Sequence, residues 1–177
     1  LTPVGLLLNP PPSFNFQLKS GRATALSTPT TSGENDAPRD GPRDGGVPVS
    51  VDFSRVLVVG RSPVNRVVVS KIVERSGLKP ISETPETAEK ALQVFIPGTV
   101  VLDGGADNKD CDGLMSGIAV ARRIAGRTAP SVILLSNRTG TRESLDLSGI
   151  VDVVVAKPIT PERLQPVIDR LIGQSRQ

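Results

Sequence analysis

Histidine is absent from the 177 residues, and so are tryptophan and tyrosine. Without His there is no Ser-His-Asp or Cys-His nucleophilic site and no imidazole metal ligand. The only aromatics are four Phe. Any core must therefore be aliphatic, and stacking of single-stranded bases lacks its platforms. The single cysteine, Cys111, excludes an internal disulfide and a thiolate zinc cluster. Charge of one sign is scarce too. Lys and Arg number 21 against 18 Asp and Glu, a formal net charge of +3, with the two signs interspersed. That is not the basic stripe of a nucleic-acid binder. No apolar run approaches the roughly 18 residues of a membrane span. The short run Val4 to Leu8 lacks a basic lead and runs into prolines, which makes it a poor signal peptide. The expectation is a soluble, cytoplasmic protein with no nucleic-acid or membrane partner.

What is present divides the chain in two. Residues 1–50 hold half of the sixteen prolines and a tandem, Pro38-Arg39-Asp40-Gly41 followed by Pro42-Arg43-Asp44-Gly45. No strand or helix period survives there. This composition buries too little apolar surface to offset chain entropy. Residues 1–50 are expected to form a disordered low-complexity tail, either without a function of its own or as a tether.

Residues 54–174 carry the pattern of an ordered domain. Short β-branched runs alternate with helical segments: Arg55 to Val59, Leu78 to Ser82, Thr99 to Leu102, Ser131 to Leu135 and Val151 to Val155. Four of the five are almost wholly apolar, as suits strands covered on both faces. Helices fit between them. The first has Ser62 as N-cap, Pro63 at its first position and Gly77 as terminator, with Val64, Val67, Val68 and Ile72 on one face. Others open near Pro85, carry Ile118, Ala121, Ile124 and Ala125, and follow Thr141. The last begins at Pro161 and ends at Gly173. Five strands alternating with five helices predict a doubly wound α/β fold with a five-stranded parallel sheet and right-handed crossovers. Function in such sheets collects at the carboxyl ends of the strands. Gly60-Arg61-Ser62, Asp103, Ser136-Asn137 and Lys157-Pro158 all fall there. A carboxylate, a hydroxyl and an ammonium at one edge suit phosphoryl chemistry.

In this order and spacing, Val56 to Val59 with Ser62 to Arg66, Val100 to Asp103, Asp112-Gly113-Leu114, Val132 to Ser136 and Lys157-Pro158-Ile159 resemble the receiver domains of two-component response regulators, which have a flavodoxin-like, CheY-like (βα)5 fold. The resemblance implies that Asp103 is the phosphoacceptor, Ser136 the switch hydroxyl and Lys157 the phosphate-contacting lysine, with a cis peptide before Pro158. It also implies Mg²⁺ held by two acids after the first strand. Gly60 and Arg61 stand there instead, so the metal site is expected to be weak or absent. Restoring acids at 60 and 61 is expected to recover it.

The loop from Asp103 to Asp112 is longer than in the family. It carries Asp107 and Asp110 as possible substitute acids and Cys111 as an expected exposed thiol. Val154 stands where the family often has a switch aromatic. Arg61 is expected either to point to solvent or to pair with Asp103, and Arg122, Arg123, Arg138 and Arg142 to be solvated.

Three readings follow. One is a stand-alone, non-enzymatic atypical receiver acting by protein contacts, with little Mg²⁺-dependent phosphorylation. Another is a receiver taking phosphate on Asp103 from a histidine kinase. A third is a small-ligand-binding flavodoxin-like protein using Gly60-Arg61-Ser62 as a phosphate turn. The expected partner is a protein, either a histidine kinase or a downstream signalling protein. A homodimer is expected through the face of the fourth helix, fifth strand and last helix. Few residues follow that last helix, so no DNA-binding output domain is expected.

Overall fold

The structure is a computed structural model, and it describes residues 50–126, 129–147 and 149–175. Of the expected tail over residues 1–50, residues 1–49 lie outside the described residues. Five strands form one parallel sheet: β1 (Val51–Val59), β2 (Lys79–Glu83), β3 (Ile96–Asp103), β4 (Ser131–Ser136) and β5 (Val153–Ala156). Their order is β2-β1-β3-β4-β5. The register places Val58 beside Val101, Leu102 beside Leu134, and Leu135 beside Val155. Four α-helices cover the sheet: α1 (Pro63–Arg75), α2 (Pro85–Val94), α3 (Met115–Ile124) and α4 (Pro161–Ser175).

Strand side chains alternate between faces, and this splits the core. Val56, Val58, Val101, Ile133, Leu135 and Val155 pack with Val69 and Ile72 of α1 and Leu164 and Ile168 of α4. Leu57, Val59, Val100, Leu102, Val132 and Leu134 pack with Ala88 and Leu92 of α2 and Ile118 of α3. All eight residues of β3 are buried, which explains its unbroken apolar run.

Several expectations are corrected. The helix expected after Thr141 is a set of turns over residues 142–146. Gly140 and Asp146 take positive φ there, and Ser144 and Thr141 bond each other's backbone, which favours turns over a helix. The expected dimer face therefore lacks one of its three elements. The last helix passes through Gly173 to Ser175. The fifth strand starts at Val153 because the Asp152 carboxylate accepts the Val132 N–H at 2.7 Å. Arg122 is not solvated, since it pairs with that same carboxylate and donates to the Pro130 carbonyl at 3.0 Å.

The inward face of α1 also differs from the expected one. Val69, Ile72 and Val73 are buried, while Val64, Val67 and Val68 are exposed. On a 3.6-residue period the inward face begins with Asn65 and Arg66. That first turn is polar because it faces Asp103 at the carboxyl edge of the sheet, not the core.

Candidate functional site

Asp103 ends β3 and is buried, with 5 % of its surface exposed. Its position continues the alternation of Val101, so its side chain turns toward α1 and α4. Lys157, two residues after Val155, continues the same side by the same rule. The Lys157 ammonium and an Asp103 carboxylate oxygen form a salt bridge, with the Lys157 side chain only 16 % exposed. Asn65, on the first turn of α1, donates from Nδ2 to the other oxygen at 2.7 Å. The Gly105 N–H donates to Oδ1 at 3.1 Å. Gly105 has φ +70, which favours a residue without Cβ.

Burial by itself would push the Asp103 carboxyl up. Hydrogen bonds from Lys157, then Asn65, then the Gly105 N–H, with the Lys157 charge, outweigh it and hold the carboxyl below its usual range. Asp103 is thus an ionised carboxylate with both oxygens already bonded by the chain's own donors.

Arg61 does not belong to this set. It continues the alternation of Leu57 and Val59 and so turns to the α2 side. There it meets Glu86 at 3.0 Å and Asp110 at 3.9 Å. Gly60 lies against Asp103: a Cβ there would sit 2.8 Å from the Asp103 Cβ. Arg66 ties the end of β1 down, donating to the Gly60 carbonyl at 2.5 Å and to Ser82 Oγ at 3.1 Å.

Ser136 is fully buried, and its Oγ accepts the Arg138 N–H at 2.9 Å. Among the described residues no hydrogen bond joins it to Asp103. Asn137 donates to the Gly105 carbonyl at 3.0 Å and so braces the loop that holds Asp103. The Lys157–Pro158 peptide is cis. Of the possible substitute acids, Asp107 accepts the Lys109 N–H at 3.2 Å and Asp110 faces Arg61. Among the described residues, no group of three or more Asp, Glu, Cys or His residues is placed to hold a metal ion.

Cys111 is not exposed. It is 1 % accessible, and its Sγ donates to the Asp103 carbonyl at 3.4 Å. Burial, then the charges of Asp103 and Asp110, push the thiol up to about 12. Cys111 is therefore expected to resist iodoacetamide at pH 8 in the folded protein and to react fully in denaturant. Rapid alkylation of the native chain would contradict its burial.

Sequence reasoning missed Asn65 as a site residue. The signal was present in its position, on the inward face of α1 one turn from the sheet edge that carries Asp103.

These features define a doubly wound α/β domain with a buried carboxylate-lysine pair at the carboxyl edge of its sheet. No family model matches the chain, and no curated protein does. Solved structures do. A response regulator from Thermotoga maritima is 17% identical with a TM-score of 0.55, covering 68% of this chain and 98% of its own. A CheY-like receiver domain protein from Methanospirillum hungatei is 16% identical with a TM-score of 0.55, covering 71% and 98%. The beryllofluoride-activated NtrC4 receiver domain dimer is 21% identical with a TM-score of 0.56, covering 70% and 99%. The chain has the fold of response-regulator receiver domains. Among the described residues no helix is long and apolar enough to cross a membrane.

Proposed function

We propose that the chain is an atypical receiver module that signals by binding other proteins, without enzymatic activity and without Mg²⁺-dependent phosphorylation. One observation carries the reading. Asp103 has both carboxylate oxygens bonded by Lys157, Asn65 and the Gly105 N–H. A phosphoryl acceptor must present a free lone pair to the incoming phosphorus. Here Oδ1 has both lone pairs engaged and Oδ2 keeps one beside the Asn65 amide, so attack is confined to that single position.

Mg²⁺ wants a near-octahedral set of oxygens, and this donor set does not fit it. Gly60 supplies no side chain, Arg61 is a cation, and Asp110 faces that cation instead. The Lys157 ammonium supplies the positive charge that a metal would, and the Asn65 amide and Gly105 N–H complete the bonding of the carboxylate. They hold the loop in one arrangement with no phosphate present, and that arrangement is the one a partner protein reads.

The test is intact-mass analysis after incubation with acetyl phosphate, with and without Mg²⁺. No adduct is expected in either case. A Mg²⁺-dependent adduct that disappears in Asp103→Asn would overturn the reading in favour of a phosphorylatable receiver served by a histidine kinase.

A further inference from the structure

The carboxyl ends of β3, β4 and β5 lie side by side, and backbone bonds join them. The Gly104 N–H donates to the Leu135 carbonyl at 3.1 Å, and the Lys157 N–H donates to the Ser136 carbonyl at 2.8 Å. Beyond these bonds the Asn137 side chain crosses from the end of β4 to the loop after β3. It donates to the Gly105 carbonyl at 3.0 Å.

That bond acts on the residue that holds Asp103. The Gly105 N–H donates to Asp103 Oδ1 at 3.1 Å, while its carbonyl accepts from Asn137. A single residue, at φ +70, has both backbone groups fixed. Its surroundings are tight, because a Cβ at this position would run into the Asp110 carboxylate.

Ser136 sets where Asn137 stands. It continues the alternation of Val132 and Leu134, so its side chain turns to the α2–α3 side of the sheet, opposite Asp103. There it is fully buried, and its Oγ accepts the Arg138 N–H at 2.9 Å. This is the short turn that a Ser side chain closes on the backbone two residues on. Asn137 is the residue at its centre. The turn uses the backbone of Arg138 and not its exposed side chain.

We infer that Ser136 and Asn137 form a latch on the Asp103 loop. Ser136 is a positioning residue that holds Asn137 across the strand ends, and Asn137 aims the Gly105 N–H at the Asp103 carboxylate. The inference rests on the proposed reading of a site kept in one arrangement, and it names what keeps the loop there. The Ser136 hydroxyl serves this turn in place of the switch role that the family resemblance implies. It is engaged with Arg138 and lies on the wrong side of the sheet to meet a group carried by Asp103.

The test uses the full chain labelled with ¹⁵N and ¹³C. It follows hydrogen exchange at the Gly105 amide and the pH titration of the Asp103 carboxyl carbon. Asn137→Ala should speed Gly105 exchange by about fivefold or more, as expected for the loss of one hydrogen bond. It should also raise the pH at which Asp103 titrates, since a donor to the carboxylate is loosened. Asn137→Asp keeps the size and loses the donor, so it should do the same. Ser136→Ala should act in the same direction. Added to Asn137→Ala it should change little more, as two residues acting in series require. Arg138→Ala keeps the N–H that the turn uses and should leave both signals alone. Asn137 is exposed, so its variants decide the matter even if Ser136→Ala fails to fold. Unchanged exchange and titration in Asn137→Ala and Asn137→Asp would overturn the latch, and so would full additivity of the two alanine variants. Neither result bears on the acetyl phosphate experiment, where a Mg²⁺-dependent adduct on the native chain would overturn the underlying reading instead.

Discussion

Asp103→Ala should destabilise the domain by about 3 kcal/mol, because it strands a buried ammonium without its partner. In a domain of this size that is a fall in Tm of roughly 10–15 °C. Lys157 is 16 % exposed and is paired to Asp103, and Asn65 loses its acceptor as well. Asp103→Asn keeps the shape and loses the charge, so it should fall between. Asp103→Ala combined with Lys157→Met removes both charges and should recover a good part of the loss, since a neutral packed pair is often as stable as a buried ion pair.

The same pair predicts a pH dependence. The Asp103 carboxyl is held below its usual range in the folded chain. Its contribution is therefore present above the unfolded value, about 3.9, and is lost as pH falls through the lower folded value. Chemical denaturation between pH 7 and pH 3 should show a steeper loss in the native chain than in Asp103→Asn. Identical acid profiles, or an Asp103→Ala variant that melts with the native protein, would remove the pair from the account.

Gly60→Asp should also be strongly destabilising, by about 2–4 kcal/mol, the range of an overpacked buried site with a like charge added. The new Cβ would meet the Asp103 Cβ at 2.8 Å, and its carboxylate would enter beside an ionised Asp103. Arg61→Asp should behave otherwise. Arg61 and Glu86 are each about 60 % exposed, and exposed pairs contribute under about 1 kcal/mol. Restoring both acids is therefore not expected to restore a metal site, contrary to what the sequence suggests. The position lacks space because the backbone brings Gly60 directly against the Asp103 Cβ. Urea unfolding of the two single variants checks this. A Gly60→Asp protein as stable as the native chain would show that the site relaxes freely.

The parallel sheet was legible because four of its five strands are strongly apolar and the helices between them open at caps that leave little choice. Ser62 with Pro63, Pro85 and Pro161 each open a helix where they stand in the sequence. The convergence of Asp103 and Lys157 followed from the rule that strand ends gather at one edge. Arg61 was not placed by spacing alone, although strand alternation assigns it with Leu57 and Val59 to the α2 side. The α1 valines misled for a related reason. An apolar triplet on a helix marks the buried face only where that face meets the core along its whole length. Here the inward first turn meets the site, so Asn65 and Arg66 hold the inward positions. Cys111 looked exposed because its loop is polar. It is buried because the chain folds back after Gly105 and brings it under β3, against the Asp103 carbonyl. The turns after Thr141 depend on local side-chain bonds that no apolar period reports.

The central claim is that Asp103 is held by the chain's own donors in place of a metal. Its most direct test is a titration of the ¹⁵N-labelled protein with MgCl₂ to about 10 mM, following the Gly105 amide and the Asn65 side-chain amide. A ligand that binds only the folded state at such excess over its Kd would add about 1 kcal/mol or more and perturb both signals. Neither signal should move in a saturable way, and Tm should stay constant. Saturable shifts in both amides, with a sub-millimolar midpoint that vanishes in Asp103→Asn, would contradict the claim.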